Sequence, residues 1–262
     1  MNYFIADILK EEGVNVFRQL SADKVRLIKS AHEDVQSYVI MILPYHNLGT
    51  ERNVARFASF PDYHAAVGNL LGKICKKLEK KFPSEKFYPA VDSSPIDEVH
   101  AAVECGLGVK GKNGLLINDR YGSYCFIAEI ATTMKLSESI TPINNKKCFS
   151  CNACIRACPS GALSETGFDK SKCLSHITQK KGSLSSEEEE AISNSELIWG
   201  CDRCQEVCPM NSTLGETRLE CFKETAPIVT EEMINNPAFF DKSAFAWRKK
   251  ETILRNIELK KR

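Results

Sequence analysis

The sequence predicts an α+β protein in three consecutive parts: a layered α/β body over residues 1–145, a cysteine module over 146–212 and a short helical segment over 213–262. Three observations predict it. Tyr38-Val-Ile-Met-Ile-Leu43 is a continuous apolar run stopped by Pro44, which suits a strand buried on both faces. Strand-like and helix-like stretches alternate up to about residue 140, and such alternation gives layers of helix on sheet. Cysteines then crowd the stretch between Cys148 and Cys208.

In chain order, residues 1–30 carry Phe4, Ile8 and Leu9 on one stripe and Val25 and Ile28 on a later one, and are expected to be helical. The apolar strand is followed by a polar stretch, 45–61. Asp62 is placed to cap a helix running to about Phe82, with Ala65, Leu70, Leu71, Ile74 and Leu78 inward and lysines outward. Residues 87–91 read as a short strand. Ser94 before Pro95, with Asp97 three residues on, signals a helix start, and that helix is expected to end near Cys105, before Gly106 and Gly108. Turns at 111–114 and 119–122 flank a short strand at 115–118. Residues 123–131, rich in aromatic and β-branched side chains, form the last strand. Within the cysteine module, Ser186 and the acidic run 187–190 read as a capped, solvated helix start. The chain end carries Ile253, Leu254 and Ile257 on a stripe beside many basic residues. It is open to two readings, a closing helix packed on the body or a nucleic-acid contact.

The chain has 262 residues, enough for a sizeable core, and a net charge of +1, which points away from DNA binding by bulk charge. Its longest apolar run is far short of the roughly 20 residues that span a bilayer, so no membrane partner is expected. Met1-Asn-Tyr-Phe-Ile-Ala-Asp7 lacks the basic start and apolar core of a secretion signal. A cytoplasmic location is expected, where 12 cysteines serve as metal ligands rather than disulfides.

Cys148-Phe-Ser-Cys151-Asn-Ala-Cys154-Ile-Arg-Ala-Cys158-Pro159 is spaced C-x2-C-x2-C-x3-C-P. In this bacterial iron–sulfur pattern the fourth cysteine serves the other cluster. Cys201-Asp-Arg-Cys204-Gln-Glu-Val-Cys208-Pro209 repeats its latter half. Crossed ligation follows: Cys148, Cys151, Cys154 and Cys208 for one 4Fe-4S cluster, and Cys201, Cys204, Cys158 and Cys173 for the other, within a ferredoxin-like domain. Structural zinc and simple burial are the competing readings, but zinc sets do not call for a Cys-Pro terminator. Cys75, Cys105, Cys125 and Cys221 follow no ligand spacing and read as small buried apolar residues. Lys146, Lys147, Arg156, Lys172 and Arg203 stand near the ligands and can offset cluster charge.

Paired clusters move single electrons, and an electron carrier needs only the module. About 140 residues placed ahead of it imply a second site that receives electrons. No GxGxxG after a strand and no P-loop marks that site, and the five histidines lack metal-ligand spacing. Asp92 is the best candidate acid, closing a strand just before a helix start. Its competing role is to cap local amides. A proton donor there needs a pKa raised by burial or a negative neighbour.

Val91-Asp-Ser-Ser-Pro-Ile96, Gly106-Leu-Gly-Val-Lys-Gly-Lys-Asn113 and Tyr121-Gly-Ser-Tyr-Cys-Phe-Ile-Ala-Glu129 together resemble successive blocks of epoxyqueuosine reductase. So do the segment from Arg56 to Asp62-Tyr-His64, Lys172-Cys-Leu-Ser-His-Ile-Thr178, Gly200-Cys-Asp-Arg-Cys-Gln-Glu-Val-Cys-Pro209 and the stretch 247–256. The resemblance spans about residues 35–260 and is to a short form, without the C-terminal helical repeats with which longer members grip tRNA. It implies a cobalamin-binding N-terminal domain, electrons from an external low-potential donor, and reduction of epoxyqueuosine in the anticodon region of tRNA to queuosine and water. It makes Asp92 the proton donor and places Leu116, Ile127, Ser175, Asp202 and Arg56 near the corrin. The family's usual arginine is replaced by Val99, followed by His100. Another substrate, such as a small molecule reduced at cobalt, and a non-catalytic electron-transfer role are the alternatives.

Overall fold

The computed structural model describes residues 3–46, 51–59, 61–139, 148, 151–212, 214, 216–223 and 228–261. Contacts divide the chain into two compact units rather than three consecutive parts. The first holds Met1–Tyr45, His64–Gly111 and Leu115–Cys148; the second holds His46–Tyr63, Lys112–Gly114 and Phe149–Arg262. The C-terminal segment is thus part of the cysteine unit, as are two excursions from the N-terminal half.

The first unit starts with α1 (Tyr3–Glu11), shorter than the helix expected over 1–30. Gly13, at φ 84°, takes the chain out of the helix, and β1 (Phe17–Ser21) pairs with β2 (Ser37–Pro44). Sheet pairing overrides helical spacing here, and Ile5, Ala6 and Leu9 form the buried face of α1 while Phe4 is exposed. All eight residues of β2 are buried. Helix α2 (Tyr63–Lys81) buries Val67, Leu71, Ile74, Cys75 and Leu78 and leaves its lysines outside. Ala65, expected inward, is exposed, because it lies off the buried stripe of Tyr63, Val67, Leu71, Ile74 and Leu78.

Strand β3 (Phe87–Val91) is followed by α3 (Glu98–Glu104). The helix starts three residues later than the Ser94-Pro95 signal suggests. Ile96 bridges Leu27 and Asp97 N–H bonds Arg26 O, so the backbone is engaged elsewhere until Asp97, whose carboxylate caps the helix by accepting His100 N–H at 3.0 Å. Ser94 Oγ instead accepts Ile96 N–H in a local turn. Strands β4 (Val109–Lys110) and β5 (Leu116–Ile117) make a small hairpin, and β6 (Cys125–Thr132) completes the main sheet.

That sheet runs β1-β2-β6-β3 and every pair is antiparallel. Side chains alternate faces along a strand, so Tyr38, Ile40 and Ile42 of β2 share a face with Ile127, Glu129 and Ala131 of β6. Helix α3 packs on β2 and β6, and Ala101, Ala102, Leu107, Leu116 and Tyr121 join this core. Glu129 stands in register with both Ile40 and Ala90, a lone acid in the middle of an apolar face.

In the second unit, short helices α4 (Ala153–Arg156), α5 (Leu174–Ile177), α6 (Ser186–Ser193) and α7 (Arg203–Glu206) carry the cysteine module. The cap of α6 is Ser185, one residue before the expected Ser186, in a capping box with Glu188. Helices α8 (Glu231–Asn235), α9 (Pro237–Phe240) and α10 (Lys250–Leu259) follow. Asn256, fully buried, ties α10 to the module by donating to Thr178 O and Ile198 O. Arg255 donates to Lys180 O and Gly182 O, Lys260 to Ser193 O and Ser195 O, and Lys261 pairs Glu231. Much of the terminal basic charge is therefore spent on packing this helix, while Trp247, with Arg248 stacked at 3.7 Å, stays 55% exposed. Among the described residues no helix is long and apolar enough to cross a membrane.

Candidate redox and proton-donor site

The sequence repeat of the cysteine runs is a structural repeat. Cys154 lies in α4 and Cys204 in α7, each helix is four residues long, and each is followed by Cys-Pro. Cys158 N–H reaches Ile155 O and Cys208 N–H reaches Gln205 O in matching turns. The two helices pack together. The Cys201 thiol feels Cys173 and Cys158, and Cys204 feels Cys201 and Cys173. Members of the set expected to share one cluster thus influence one another electrostatically. Burial pushes Cys201 up to about 11 and Cys204 up to about 12, so bare thiols here stay protonated. Thiolate ligation draws on the charge of a bound iron centre. Cys201 and Cys204 each feeling Cys173, and Cys201 feeling Cys158, is compatible with a four-thiolate cluster.

Among the described residues no three His, Cys, Asp or Glu side chains surround a single-ion position. Of the other expected set, Cys151 is exposed, Cys154 and Cys208 are half-buried, and Cys148 falls in the first unit. Cys75 and Cys105 are buried as expected of apolar residues, and Cys125 and Cys221 are half-buried. The nearby cations are partly engaged: Arg156 donates to Cys151 O, Lys172 pairs Asp169, and Arg203 pairs Glu206. Lys146 and Lys147 lie outside the described residues.

The 46–63 excursion lies against the second cysteine run. Val54 bridges Trp199, and Ala55 N–H bonds Trp199 O at 2.7 Å. Gly200, at φ +75°, makes this possible, since a Cβ there would stand 2.4 Å from Ala55 Cβ and 3.0 Å from Phe57. Asp202, 1% exposed, accepts Arg56 N–H at 2.7 Å and Arg52 at 3.2 Å. Burial pushes the Asp202 carboxyl above the usual carboxylate range, and the Arg56 N–H and Arg52 guanidinium pull it back. Ser175 O accepts Thr178 Oγ1, which itself accepts Gly200 N–H. Arg56, Ser175 and Asp202 thus belong to one hydrogen-bonded neighbourhood. Asn113, in the 112–114 excursion, reaches Cys204. A cavity of about 630 Å³ opens here, lined by Arg52, Pro159, Leu174, Cys201, Asp202 and Glu206.

In the first unit, Asp92 sits at the end of β3 with φ 60°, one of two described non-glycine residues at positive φ. Ser93 N–H closes back on Val91 O at 2.6 Å. An i→i+2 bond around a positive-φ residue is a rare, strained γ-turn, worth about 1–3 kcal/mol. Glu98 Oε1 accepts Asp92 N–H at 2.9 Å. His64 Nε2, at the start of α2, lies 3.0 Å from Asp92 Oδ2. The Asp92 side chain is 58% exposed, so its carboxyl is open to a substrate. Behind it are two acids, half-buried Glu98 and fully buried Glu129. Burial first, then the charges of Asp92 and Asp97, push Glu98 up to about 7. Burial and the Glu98 charge push Glu129 up to about 8. Leu116 and Ile127 are buried in the same core cluster.

His64, Arg52, Glu98 and Glu129 were not singled out from the sequence. A lone charged residue in the apolar strand Cys-Phe-Ile-Ala-Glu-Ile-Ala-Thr is a signal that could have found Glu129. His64 and Arg52 act through contacts distant in sequence, and no spacing announces them.

Residues 147–211 match a family model described as a 4Fe-4S double cluster binding domain, which sets the module in the class of double-cluster iron–sulfur proteins. An epoxyqueuosine reductase of Cyclobacterium marinum is 33% identical over 251 residues, covering 91% of this chain and 79% of that protein. One from Aliivibrio fischeri is 34% identical over 206 residues, covering 78% of this chain and 52% of that protein, so the chain spans about half that relative's length. The chain belongs to the epoxyqueuosine reductase family. Its fold matches an epoxyqueuosine reductase solved with an epoxyqueuosine-modified tRNA stem loop, at TM-score 0.84 and 23% identity over 98% of this chain and 80% of that one. It matches the Bacillus subtilis enzyme, with its catalytic loop swung out of the active site, at TM-score 0.83 and 21% identity over the same shares, 98% and 80%. A reductive dehalogenase described as B12-dependent matches at TM-score 0.53 and 19% identity, over 80% of this chain and 32% of that one.

Proposed function

We propose that this chain is an iron–sulfur and cobalamin-dependent oxidoreductase that converts epoxyqueuosine in the anticodon region of tRNA to queuosine, in the cytoplasm, with electrons from an external low-potential donor. Family membership and the fold shared with the stem-loop complex support the substrate. The single observation that carries the mechanism is Asp92: an exposed carboxyl on a strained turn, held from behind by Glu98 and flanked by His64.

Opening an epoxide to an alkene and water consumes electrons and protons in equal number. Cobalamin, when bound, would supply a reducing cobalt centre, and the two clusters would deliver its electrons. Asp92 hands a proton to the leaving oxygen as general acid. His64 fixes the carboxyl through Oδ2, and its ring can return a proton to Asp92 after turnover. The family resemblance would set Leu116 and Ile127, buried in the core of the first unit, and Arg56, Ser175 and Asp202 of the second unit near the corrin. Cys148, Cys151, Cys154 and Cys208 would hold one cluster, and Cys158, Cys173, Cys201 and Cys204 the other.

Nucleoside analysis of tRNA from a strain without its own reductase tests the reading. Expression of this chain should convert epoxyqueuosine to queuosine. Unchanged epoxyqueuosine, with iron and cobalamin bound stoichiometrically, would redirect the site to a small-molecule substrate. Iron without corrin affinity would leave an electron-transfer protein.

A further inference from the structure

We infer that Glu98 and Glu129 form a carboxyl pair sharing one proton, in which Glu129 keeps the proton and ionised Glu98 holds the backbone of Asp92 in its left-handed turn. The inference deepens the reading of Asp92 as the acid and rests on it.

Four observations meet at the pair. Glu98 Oε1 is the acceptor for Asp92 N–H, so its carboxyl touches the strained residue directly. Glu129 is 1% exposed, and neither of its oxygens makes a hydrogen bond of normal geometry. Its polar neighbours are Ser94 and Glu98. Its register partners, Ile40 and Ala90, offer no side-chain donor.

Two carboxylates cannot both ionise in such a site, because each is costly to bury and each repels the other. The proton belongs on Glu129, the more buried of the two. Glu98 has an amide donor that rewards its charge, and Lys29 nearby favours the same state. Asp92 and Asp97 oppose ionisation of Glu98. The phenol of Tyr38, from β2, faces Glu129 and is itself pushed up, by burial and by that carboxyl's charge. Arg26 stands 4.0 Å from Asp97. The raised values of both acids agree with a retained proton at neutral pH. A cavity of about 350 Å³, lined by Lys29, His32, Tyr38, Tyr88, Ser93 and Glu129, gives that proton a path to solvent.

Glu98 and Glu129 are positioning residues: they act on the reaction only through Asp92. Infrared difference titration of the cluster-loaded protein reads the shared proton directly. A protonated-carboxyl carbonyl band should be present at pH 7, survive in Asp92→Asn and vanish in Glu129→Gln. Absence of the band at pH 7, or its survival in Glu129→Gln, would overturn the inference. Amide exchange at residue 92 reads the latch. Glu98→Ala should speed it by about tenfold or more, the loss of one charge-assisted hydrogen bond. Glu98→Gln, which keeps an acceptor and the shape, should speed it by only about threefold. Equal exchange in wild type and both variants would remove the latch. Neither measurement needs turnover, so full activity of Asp92→Asn would end the catalytic reading of Asp92 while leaving these results to stand or fall alone.

Discussion

Glu129 and Asp202 are each 1% exposed, one in each unit, and they are sealed in opposite ways. Asp202 lies among donors, with Arg56 N–H at 2.7 Å and Arg52 at 3.2 Å, and Arg52 also reaches Glu206. Glu129 lies on an apolar sheet face with Ser94 and a second carboxyl for company. A buried acid must be paired or protonated. The second unit takes the first course and obtains a rigid bracket between the 46–63 excursion and the cysteine loop. The first unit takes the second course and keeps a proton beside the turn that presents Asp92. One acid serves to fasten, the other to stay adjustable.

The largest effect should come from the fastened region. Cys204→Ser should remove one cluster, lowering bound iron by about half and abolishing turnover. Iron and sulfide analysis after anaerobic purification checks it, and full iron would break the assignment of Cys204. Asp92→Asn should keep iron and cobalamin and lower turnover by about 10²–10⁴-fold, the range of a lost general acid. Near-normal turnover would make Asp92 a turn residue.

The two buried acids can then be set against each other. Arg52→Met strands the Asp202 charge and should cost about 3–5 kcal/mol of stability. Glu129→Gln replaces a protonated acid by a neutral isostere and should cost no more than about 1 kcal/mol near pH 7. Anaerobic unfolding of both variants compares them, and equal losses would erase the distinction. The smallest effect is in pH dependence. Glu98 and Glu129 titrate at about 7 and about 8 in the folded chain, against about 4.3 in an unfolded one. Between those limits the folded chain holds the extra protons, so stability falls as pH rises through this window. Glu129→Gln should flatten the fall, visible as a smaller change in midpoint between pH 6 and pH 8.

The cysteine module was legible because its chemistry is written in local spacing: x2, x2, x3 and Cys-Pro survive folding unchanged. The β2 strand and the α2 helix were legible for the same reason, each being a long pattern of one period. The first 30 residues misled because helical spacing in 17–30 was outcompeted by pairing of Phe17–Ser21 with β2. The proton-donor corner was half legible. Asp92 stood out at a strand end, but His64 lies 28 residues away and Glu129 comes from another strand. Their roles depend on tertiary neighbours that no local period encodes.

The excursions 46–63 and 112–114 have a consequence for synthesis. Residue 54 leaves the ribosome long before its bridging partner Trp199 exists. The segment must therefore wait, unpaired, while later residues are made, and the cysteine unit is completed only after the sheet's last strand has emerged. Neither unit is encoded by one uninterrupted stretch, so cutting the gene at residue 146 yields no intact half.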